Sequence, residues 1–136
     1  MRVFLFSVVL ILAQACATDT SREQTPVDAV ATAVVAEKLD VAAFAQKLAS
    51  LPNAQLVDVR TPEECAGGMI EKAINHNFYD DDFKDKMLGL DKEQPVMVYC
   101  KAGGRSAKAL SLLKGLGFKE IYDLQGGYTA WAATNQ

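Results

Sequence analysis

Apolar residues recur along the chain at helical spacing in some segments and form short unbroken runs in others. Apolar side chains three or four positions apart predict an amphipathic helix, whereas a short apolar run is typical of a strand buried in a parallel sheet. Strands are predicted at 55–59, 73–75, 96–99 and 121–124. Helices are predicted at 41–51, from Thr61 to Gly67, at 80–90, at 106–116 and around Trp131. This alternation indicates an α/β domain, with a mainly parallel sheet covered by helices on both faces.

Polar residues mark where several of these helices begin. Asp40 is placed to cap the first helix. Thr61 is followed by Pro62, which suits the first helical position, and by Glu64, which completes the spacing of a capping box. Residues 80–82 are all aspartate, and acids are favourable in the first turn of a helix. That explanation is preferred to a cation site, so no metal or other cofactor is predicted.

The length, composition and charge of the chain limit the number of domains and the kinds of partner that it can have. With 136 residues, the chain has room for one compact domain with a core of its own. Half of the residues are hydrophobic, and the formal net charge is −3. Because lysines and arginines form no basic stripe, nucleic acid is not expected as a partner.

The first residues indicate export from a bacterial cytoplasm. A basic start at Arg2 precedes an apolar run over 3–12 that is too short to span a bilayer. Ala13 and Ala15 supply the small residues of a cleavage site just before Cys16. We expect a signal peptide at 1–15, which leaves two alternatives: a periplasmic protein, or a lipoprotein anchored to the membrane through an acylated Cys16. A frayed amino terminus of a cytoplasmic protein is the least favoured interpretation.

The segment after the signal has no clear period. Residues 16–36 are interpreted as a tether, and a helix over 27–38 is an alternative based on alanine propensity. The folded domain is expected at 37–136.

Cys100 follows the predicted strand 96–99, at the edge where open α/β sheets bind ligands. The loop after it leads into a helix, whose first amides and positive dipole end favour an anion. Gly103 and Gly104 are expected to let the backbone curl, so that successive amides point at one centre. A thiolate at that centre is stabilised, which lowers the pKa of Cys100 below its free value of about 8.5. The predicted site therefore has catalytic Cys100 and a binding loop of Lys101, Ala102, Gly103, Gly104, Arg105 and Ser106.

Two other residues are candidate helpers of this thiol. His76 is the one histidine of the chain, and a cysteine–histidine pair would depend on its reaching Cys100. Backbone activation needs no such base, so His76 is assigned to an exposed loop. Cys65 lies one turn into the helix that begins at Thr61, where a small buried residue is favoured over a thiol that resolves oxidised Cys100.

Four blocks of the sequence resemble the rhodanese family, in the family's order, over about residues 39–132. They are 56–64 (LVDVRTPEE), 68–75 (GMIEKAIN), the Cys100 loop with Ser106 and Ala107, and 124–127 (LQGG) with Trp131. The resemblance implies a five-stranded parallel sheet flanked by helices, and a cysteine that takes sulfane sulfur from a donor and passes it on. It also implies that Asp58 and Arg60 brace the fold near the active loop.

Loop length separates this family from similar phosphatases. Four residues lie between Cys100 and Arg105, whereas the related Cdc25-type and dual-specificity phosphatases have one more. The shorter loop favours sulfur over phosphate, and Lys101 and Arg105 at its rim favour an anionic donor such as thiosulfate. The expected function is a sulfurtransferase with a persulfide on Cys100 and a small thiol, cyanide or a protein thiol as acceptor. A carrier that serves one partner protein is the alternative, and a phosphatase or arsenate-type enzyme is less favoured.

Overall fold

The structure, a computed structural model, describes residues 33–134. The predicted signal peptide and Cys16 lie outside the described residues. No helix among the described residues is long and apolar enough to cross a membrane. Within 33–134, ten elements alternate between strand and helix. They are β1 (Val35–Leu39), α1 (Val41–Ser50), β2 (Gln55–Asp58), α2 (Pro62–Cys65), β3 (Ile74–Asn75), α3 (Phe83–Leu88), β4 (Val96–Tyr99), α4 (Gly104–Gly115), β5 (Glu120–Leu124) and α5 (Gly127–Thr134).

The strands form one parallel sheet in the order β1-β5-β4-β2-β3. This confirms the predicted five-stranded α/β fold. In the register of the central strands, Val57 lies opposite Val98, and Val98 lies opposite Asp123. Because all strands are parallel, the segments that follow β2, β4 and β5 emerge at the same edge of the sheet.

Apolar side chains cover both faces of the sheet. On one face, Val98 and Ile121 pack in a cluster with Met87 of α3 and Leu113 of α4. On the other face, Tyr99 and Leu124 belong to a cluster with Phe44 of α1 and Trp131 of α5. Complete burial of a side chain such as Phe44 stabilises the fold by about 1.5–3 kcal/mol. Packing of helices on both faces therefore fixes the position of the sheet edge at which Cys100 follows β4.

Strand β1 is the element that the sequence pattern did not predict. Val35 and Ala36 were assigned to the tether, and the alternative helix over 27–38 is wrong for residues 35–38. β1 is an edge strand with three exposed residues, so it carries no unbroken apolar run. Its partner is β5, far along the chain, with Lys38 opposite Asp123. Long-range pairing therefore decides the conformation of this segment.

Helix boundaries differ modestly from the predictions. The capping box is confirmed, because Thr61 Oγ1 accepts from the Glu64 amide at 3.4 Å and Glu64 accepts from the Thr61 amide at 2.9 Å. The predicted helix 80–90 is shorter, since α3 begins only at Phe83. Asp80 and Asp82 instead form ion pairs with Lys86, at 2.9 and 2.8 Å. α4 begins at Gly104, two positions before the predicted start.

Candidate active site

Cys100 lies directly after β4 and is almost fully buried, with 1% of its surface exposed. The backbone of the following loop folds around its sulfur. The amide of Gly103 donates a hydrogen bond to Cys100 Sγ at 3.0 Å, and the hydroxyl oxygen of Ser106 lies 3.5 Å from Sγ. Polar donors therefore converge on one buried thiol, as the sequence predicts.

The surroundings of Cys100 affect its pKa in opposite directions. Burial is the largest single influence and raises the pKa. The Ser106 hydroxyl and the backbone amides of Ser106, Gly103 and Ala102 lower it, and together they outweigh burial. The net result is a pKa below the ordinary value of a thiol, because hydrogen bonds favour the charged form.

Histidine takes no part in this arrangement. His76 follows β3, is half-buried rather than exposed, and donates its backbone amide to the Asp58 carbonyl at 2.9 Å. Burial lowers the pKa of its imidazole. Within residues 33–134, His76 forms no hydrogen bond with Cys100. The described residues therefore contain no cysteine–histidine pair at Cys100, and hydrogen bonds from the loop account for its lowered pKa.

The two adjacent glycines of the loop differ in their roles. Gly103 has a φ of +101°, a conformation that side chains disfavour, and its amide is the one that contacts Cys100 Sγ. Gly104 is the first residue of α4, and a Cβ added to it would meet nothing within 4 Å. The expectation that both glycines permit the curl of the loop is therefore corrected: the backbone conformation requires glycine at 103 alone.

A third glycine, Gly127, is the first residue of α5 and lies against the backbone of the Cys100 loop. It has a φ of +60°, and a Cβ there would come within 2.4 Å of the Cys100 carbonyl oxygen. The close approach allows the Tyr128 amide to donate to the Cys100 carbonyl at 2.7 Å and the Thr129 amide to donate to the Lys101 carbonyl at 3.0 Å. The first turn of α5 thus fixes the backbone of Cys100 and Lys101 by hydrogen bonds.

Arg105 is held by a carboxylate. Its guanidinium forms two hydrogen bonds to Glu64 of α2, at 2.7 and 2.8 Å, with both side chains partly buried. The Arg105 hydrogen bonds, against an opposing effect of burial, lower the pKa of Glu64 to about 2. Lys101 is exposed and interacts electrostatically with the same Glu64 carboxylate without a direct ion pair. Of the two predicted rim cations, Arg105 is thus the one that Glu64 binds directly.

Asp58 and Arg60 form a buried ion pair at the end of β2. Arg60 Nε and Nη2 donate to the Asp58 carboxylate at 3.0 and 2.6 Å. The guanidinium also donates to the carbonyls of Glu64 and Gly68, and it lies 3.9 Å from the Tyr128 ring centroid. These contacts join β2, α2 and α5, which is the bracing position that the family resemblance implies.

Cys65 is a thiol of a different kind. Its Sγ lies 3.4 Å from Asp58 Oδ2, and it accepts a hydrogen bond from Asn75 at 3.3 Å. Burial and the neighbouring Asp58 carboxylate raise its pKa to about 11. The thiol is therefore protonated near neutral pH, and Cys65 and Cys100 are both free of disulfides. This favours the structural interpretation of Cys65.

Two residues of the site were not assigned to it from the sequence. Glu64 was predicted only as a helix cap, although the same carboxylate also binds Arg105 across 41 positions of sequence. Gly127 was noted in the last block, but its contact with Cys100 depends on how α5 packs. The two adjacent glycines after the predicted strand 121–124 indicate a close backbone approach at Gly127. No local sequence pattern indicates that Glu64 pairs with Arg105.

Comparison with known sequences places this geometry in a family. The sequence profile described as Rhodanese-like domain matches residues 41–134. The chain belongs to the rhodanese-like family. The matched span of the rhodanese-like domain contains the Cys100 loop and every element except β1.

Relatives of this rhodanese-like domain include curated proteins and solved structures. A protein named sulfurtransferase from Allochromatium vinosum is 35% identical over 95 residues, which cover 70% of this chain and 87% of that protein. The thiosulfate sulfurtransferase GlpE of Ectopseudomonas mendocina is 37% identical over 93 residues, covering 66% of this chain and 80% of GlpE. The crystal structure of a rhodanese-related protein from Thermoplasma volcanium matches with a TM-score of 0.64 and 27% identity, over 73% of this chain and 93% of that one.

Proposed function

We propose that the protein is a sulfurtransferase in which Cys100 carries sulfane sulfur as a persulfide. The observation that carries this proposal is the buried Cys100 Sγ with converging hydrogen-bond donors, Gly103 among them at 3.0 Å. These neutral donors stabilise a thiolate without cancelling its charge, so the sulfur remains nucleophilic. The names of the curated relatives, sulfurtransferase and thiosulfate sulfurtransferase, support the same chemistry.

The reaction has two steps. The Cys100 thiolate attacks the outer sulfur of thiosulfate, a new S–S bond forms, the old S–S bond breaks, and sulfite leaves with the electron pair. An acceptor such as cyanide or a small thiol then attacks the outer persulfide sulfur, and the thiolate is regenerated. The amides that stabilise the Cys100 thiolate lie beside the site where the persulfide charge develops.

An anionic donor such as thiosulfate is proposed from the cations at the loop. Lys101 is exposed beside Cys100, and its charge is available to an anion that approaches the loop. Arg105 contributes less than the sequence alone indicates, because Glu64 binds its guanidinium at two points. The proposed selectivity therefore depends more on Lys101 than on Arg105.

The decisive experiment measures loading of sulfur. The purified protein is incubated with thiosulfate, and its intact mass is compared with that of Cys100→Ser and of Cys65→Ser as a matched control. The unmodified protein and Cys65→Ser are expected to gain the mass of one sulfur atom, and Cys100→Ser is expected to gain none. If the unmodified protein gains no sulfur from thiosulfate or any other sulfane donor, the proposal is wrong.

Transfer to an acceptor separates an enzyme from a dedicated carrier. Cys100 is 1% exposed, so a bulky acceptor has restricted access to it. Loaded protein is mixed with cyanide or a small thiol, and thiocyanate or the new persulfide is measured. Turnover supports the enzyme, whereas loading without release to either acceptor supports the carrier that serves one partner protein.

Export to the periplasm remains a proposal that rests on the first sixteen residues. An apolar run followed by Ala13, Ala15 and Cys16 supports cleavage before Cys16. Intact mass of the protein from the membrane, periplasmic and cytoplasmic fractions of a bacterium is the test. An acyl chain on Cys16 establishes the lipoprotein, an unmodified Cys16 at the new terminus establishes plain secretion, and an uncleaved terminus overturns export.

A further inference from the structure

The carboxylate of Glu64 lies at the rim of the Cys100 loop. Arg105 is placed on this loop between Gly103 and Ser106, which contact Cys100 Sγ at 3.0 and 3.5 Å. Its Nη1 and Nη2 both donate to the Glu64 carboxylate, at 2.7 and 2.8 Å. The side chains of Arg105 and Glu64 are 16% and 25% exposed, so a ligand that approaches the loop meets both charges.

Further contacts hold the ion pair of Glu64 and Arg105 in place. Glu64 Oε2 also accepts the Thr61 amide at 2.9 Å, which fixes the carboxylate to the start of α2. The guanidinium carbon of Arg105 lies 5.5 Å from the ring centroid of Tyr79. A two-point contact between a guanidinium and a carboxylate is among the strong hydrogen-bonded contacts of proteins. The guanidinium is thus directed at groups of the protein, and turning it towards a donor would break this contact.

Glu64 also lies beside the second cation of the loop. Glu64 and Lys101 line one open cleft of about 220 Å³, together with Tyr128 and Thr129. Lys101 directly follows Cys100, and its carbonyl accepts the Thr129 amide at 3.0 Å. The cleft therefore borders the backbone of the Cys100 loop, and an anion that enters it meets the Glu64 carboxylate.

The charges at this rim nearly balance. Arg60 lines the same cleft, but the Asp58 carboxylate offsets its charge. Lys101 and Arg105 bring two positive charges and Glu64 brings one negative charge, which leaves one net positive charge. Because the pKa of Glu64 is lowered to about 2, its carboxylate keeps its charge near neutral pH. Coulomb repulsion from Glu64 is twice as large for a donor with two negative charges as for a donor with one.

We propose that Glu64 is a specificity-determining residue, which weakens the binding of doubly charged sulfur donors by holding Arg105 and offsetting its charge. The inference rests on the proposed function of Cys100 and deepens it, because it names the residue that ranks anionic donors by charge. Glu64 is a positioning residue that acts through Arg105, and Lys101 supplies the remaining positive charge. Relative to a rim without this carboxylate, a donor with a single negative charge is favoured over thiosulfate.

Two alkylating reagents of similar shape measure the charge around Cys100 without any sulfur donor. Iodoacetate carries one negative charge and iodoacetamide carries none, so the ratio of their rates at Cys100 reports the attraction of an anion to the site. The thiolate fraction cancels in this ratio, because both reagents attack the same form of the thiol. Glu64→Gln keeps an oxygen for the Thr61 amide and is expected to raise the ratio about threefold. Mass spectrometry of peptides follows the rate at Cys100.

Two matched variants and salt separate this effect from damage to the fold. Glu63→Gln removes the same charge at an exposed neighbouring position of α2 and is expected to leave the ratio near that of the unmodified protein. Glu64→Asp keeps the charge, so its ratio should stay below that of Glu64→Gln. The rise in Glu64→Gln should vanish at about 1 M salt, where the Debye length is about 3 Å. If Glu64→Gln has the ratio of the unmodified protein, if Glu63→Gln raises it as much, or if the rise persists in salt, the proposal is wrong.

The KM values of two sulfur donors extend the test to the reaction. Thiosulfate carries two negative charges and benzenethiosulfonate carries one, and both offer an outer sulfur to Cys100. Glu64→Gln is expected to lower the KM for thiosulfate about threefold relative to the KM for benzenethiosulfonate, without a matching rise in kcat. Equal changes for the two donors overturn the proposal. Failure of Cys100 to gain sulfur from either donor contradicts the proposed function instead, and the alkylation ratio then still decides the role of Glu64.

Discussion

The segments that follow β2 and β4 give two cysteines opposite properties. The first, here called the Cys65 loop, includes the short helix α2 that ends at Cys65, and the second is the Cys100 loop. Both segments leave neighbouring parallel strands at the same edge of the sheet. Cys100, after β4, is surrounded by amides and a hydroxyl, and its pKa is lowered despite burial. Cys65, after β2, lies beside the Asp58 carboxylate, and burial together with this negative charge raises its pKa to about 11. The sign of the neighbouring dipoles and charges, rather than position at the sheet edge, decides which thiol can react.

Arg60 and the amides of the Cys100 loop both stabilise an anion, but they leave it with different net charges. Arg60 meets the Asp58 carboxylate with a full positive charge in a two-point contact, so that pair is neutral overall and serves the fold. The loop amides are dipoles without net charge, so a thiolate at Cys100 keeps its charge and its reactivity. At the end of a strand, an anion that is paired with a cation therefore serves the stability of the fold. An anion that is held only by dipoles keeps its charge and can take part in a reaction.

The largest effect is expected when the two thiols compete for one small alkylating reagent. The pKa of Cys65 is raised to about 11 and that of Cys100 is lowered, so Cys100 should react with iodoacetamide more than about tenfold faster than Cys65 near neutral pH. Rates are measured for each cysteine by mass spectrometry of peptides, which also separates Cys16. Faster modification of Cys65 would remove the contrast between the two loops.

Gly127→Ala should damage the Cys100 loop while leaving the Cys65 loop intact. The added Cβ meets the backbone of Cys100 and Lys101 at 2.4–2.7 Å in a left-handed conformation. We expect a loss of about 3 kcal/mol in the free energy of unfolding, together with loss of sulfur loading. Urea unfolding measures the first and intact mass the second. A variant as stable and as active as the unmodified protein would show that α5 does not support the loop.

Gly103→Ala and Gly104→Ala form a matched pair within the loop. Alanine at 103 must adopt a φ near +101°, so we expect a loss of about 2 kcal/mol in stability. Displacement of the Gly103 amide from Cys100 Sγ removes one of the donors that lower the pKa of Cys100, so sulfur loading should slow several-fold. Alanine at 104 has free space and favours α4, so stability should change by less than about 0.5 kcal/mol. Equal effects of the two substitutions would contradict the separate roles.

A smaller loss than at Gly127 or Gly103 is expected at Glu64, which joins the two loops through Arg105. Its pKa falls from 4.5 to about 2 on folding, so its contribution to stability is complete above about pH 4.5 and is lost as the pH falls towards 2. Glu64→Gln keeps a helix cap and should lower stability by about 1 kcal/mol at neutral pH, a difference that disappears in acid. Urea unfolding at several pH values measures this, with the exposed Glu63→Gln as control. A difference that persists at pH 2 would exclude the Arg105 contact as its cause.

The amino-acid sequence alone determined the fold class and the place of Cys100 after a buried strand. Short apolar runs and capping signals such as Thr61 with Glu64 are local properties, and a cysteine between a buried strand and a glycine-containing helix start can be located from neighbours in sequence. The class of the sheet and the position of Cys100 followed from these signals, and the structure agrees with both. The rhodanese-like membership followed from four local blocks in order.

Only the tertiary structure decided what surrounds that cysteine. β1 exists because β5 offers it a partner, Glu64 binds Arg105 across the sheet edge, and Gly127 meets Cys100 because α5 folds back onto the loop. These contacts join residues that are distant in sequence, and hydrogen bonds and charges act through space. Local patterns could therefore identify the thiol, but the groups that set its charge became visible only when the chain was folded.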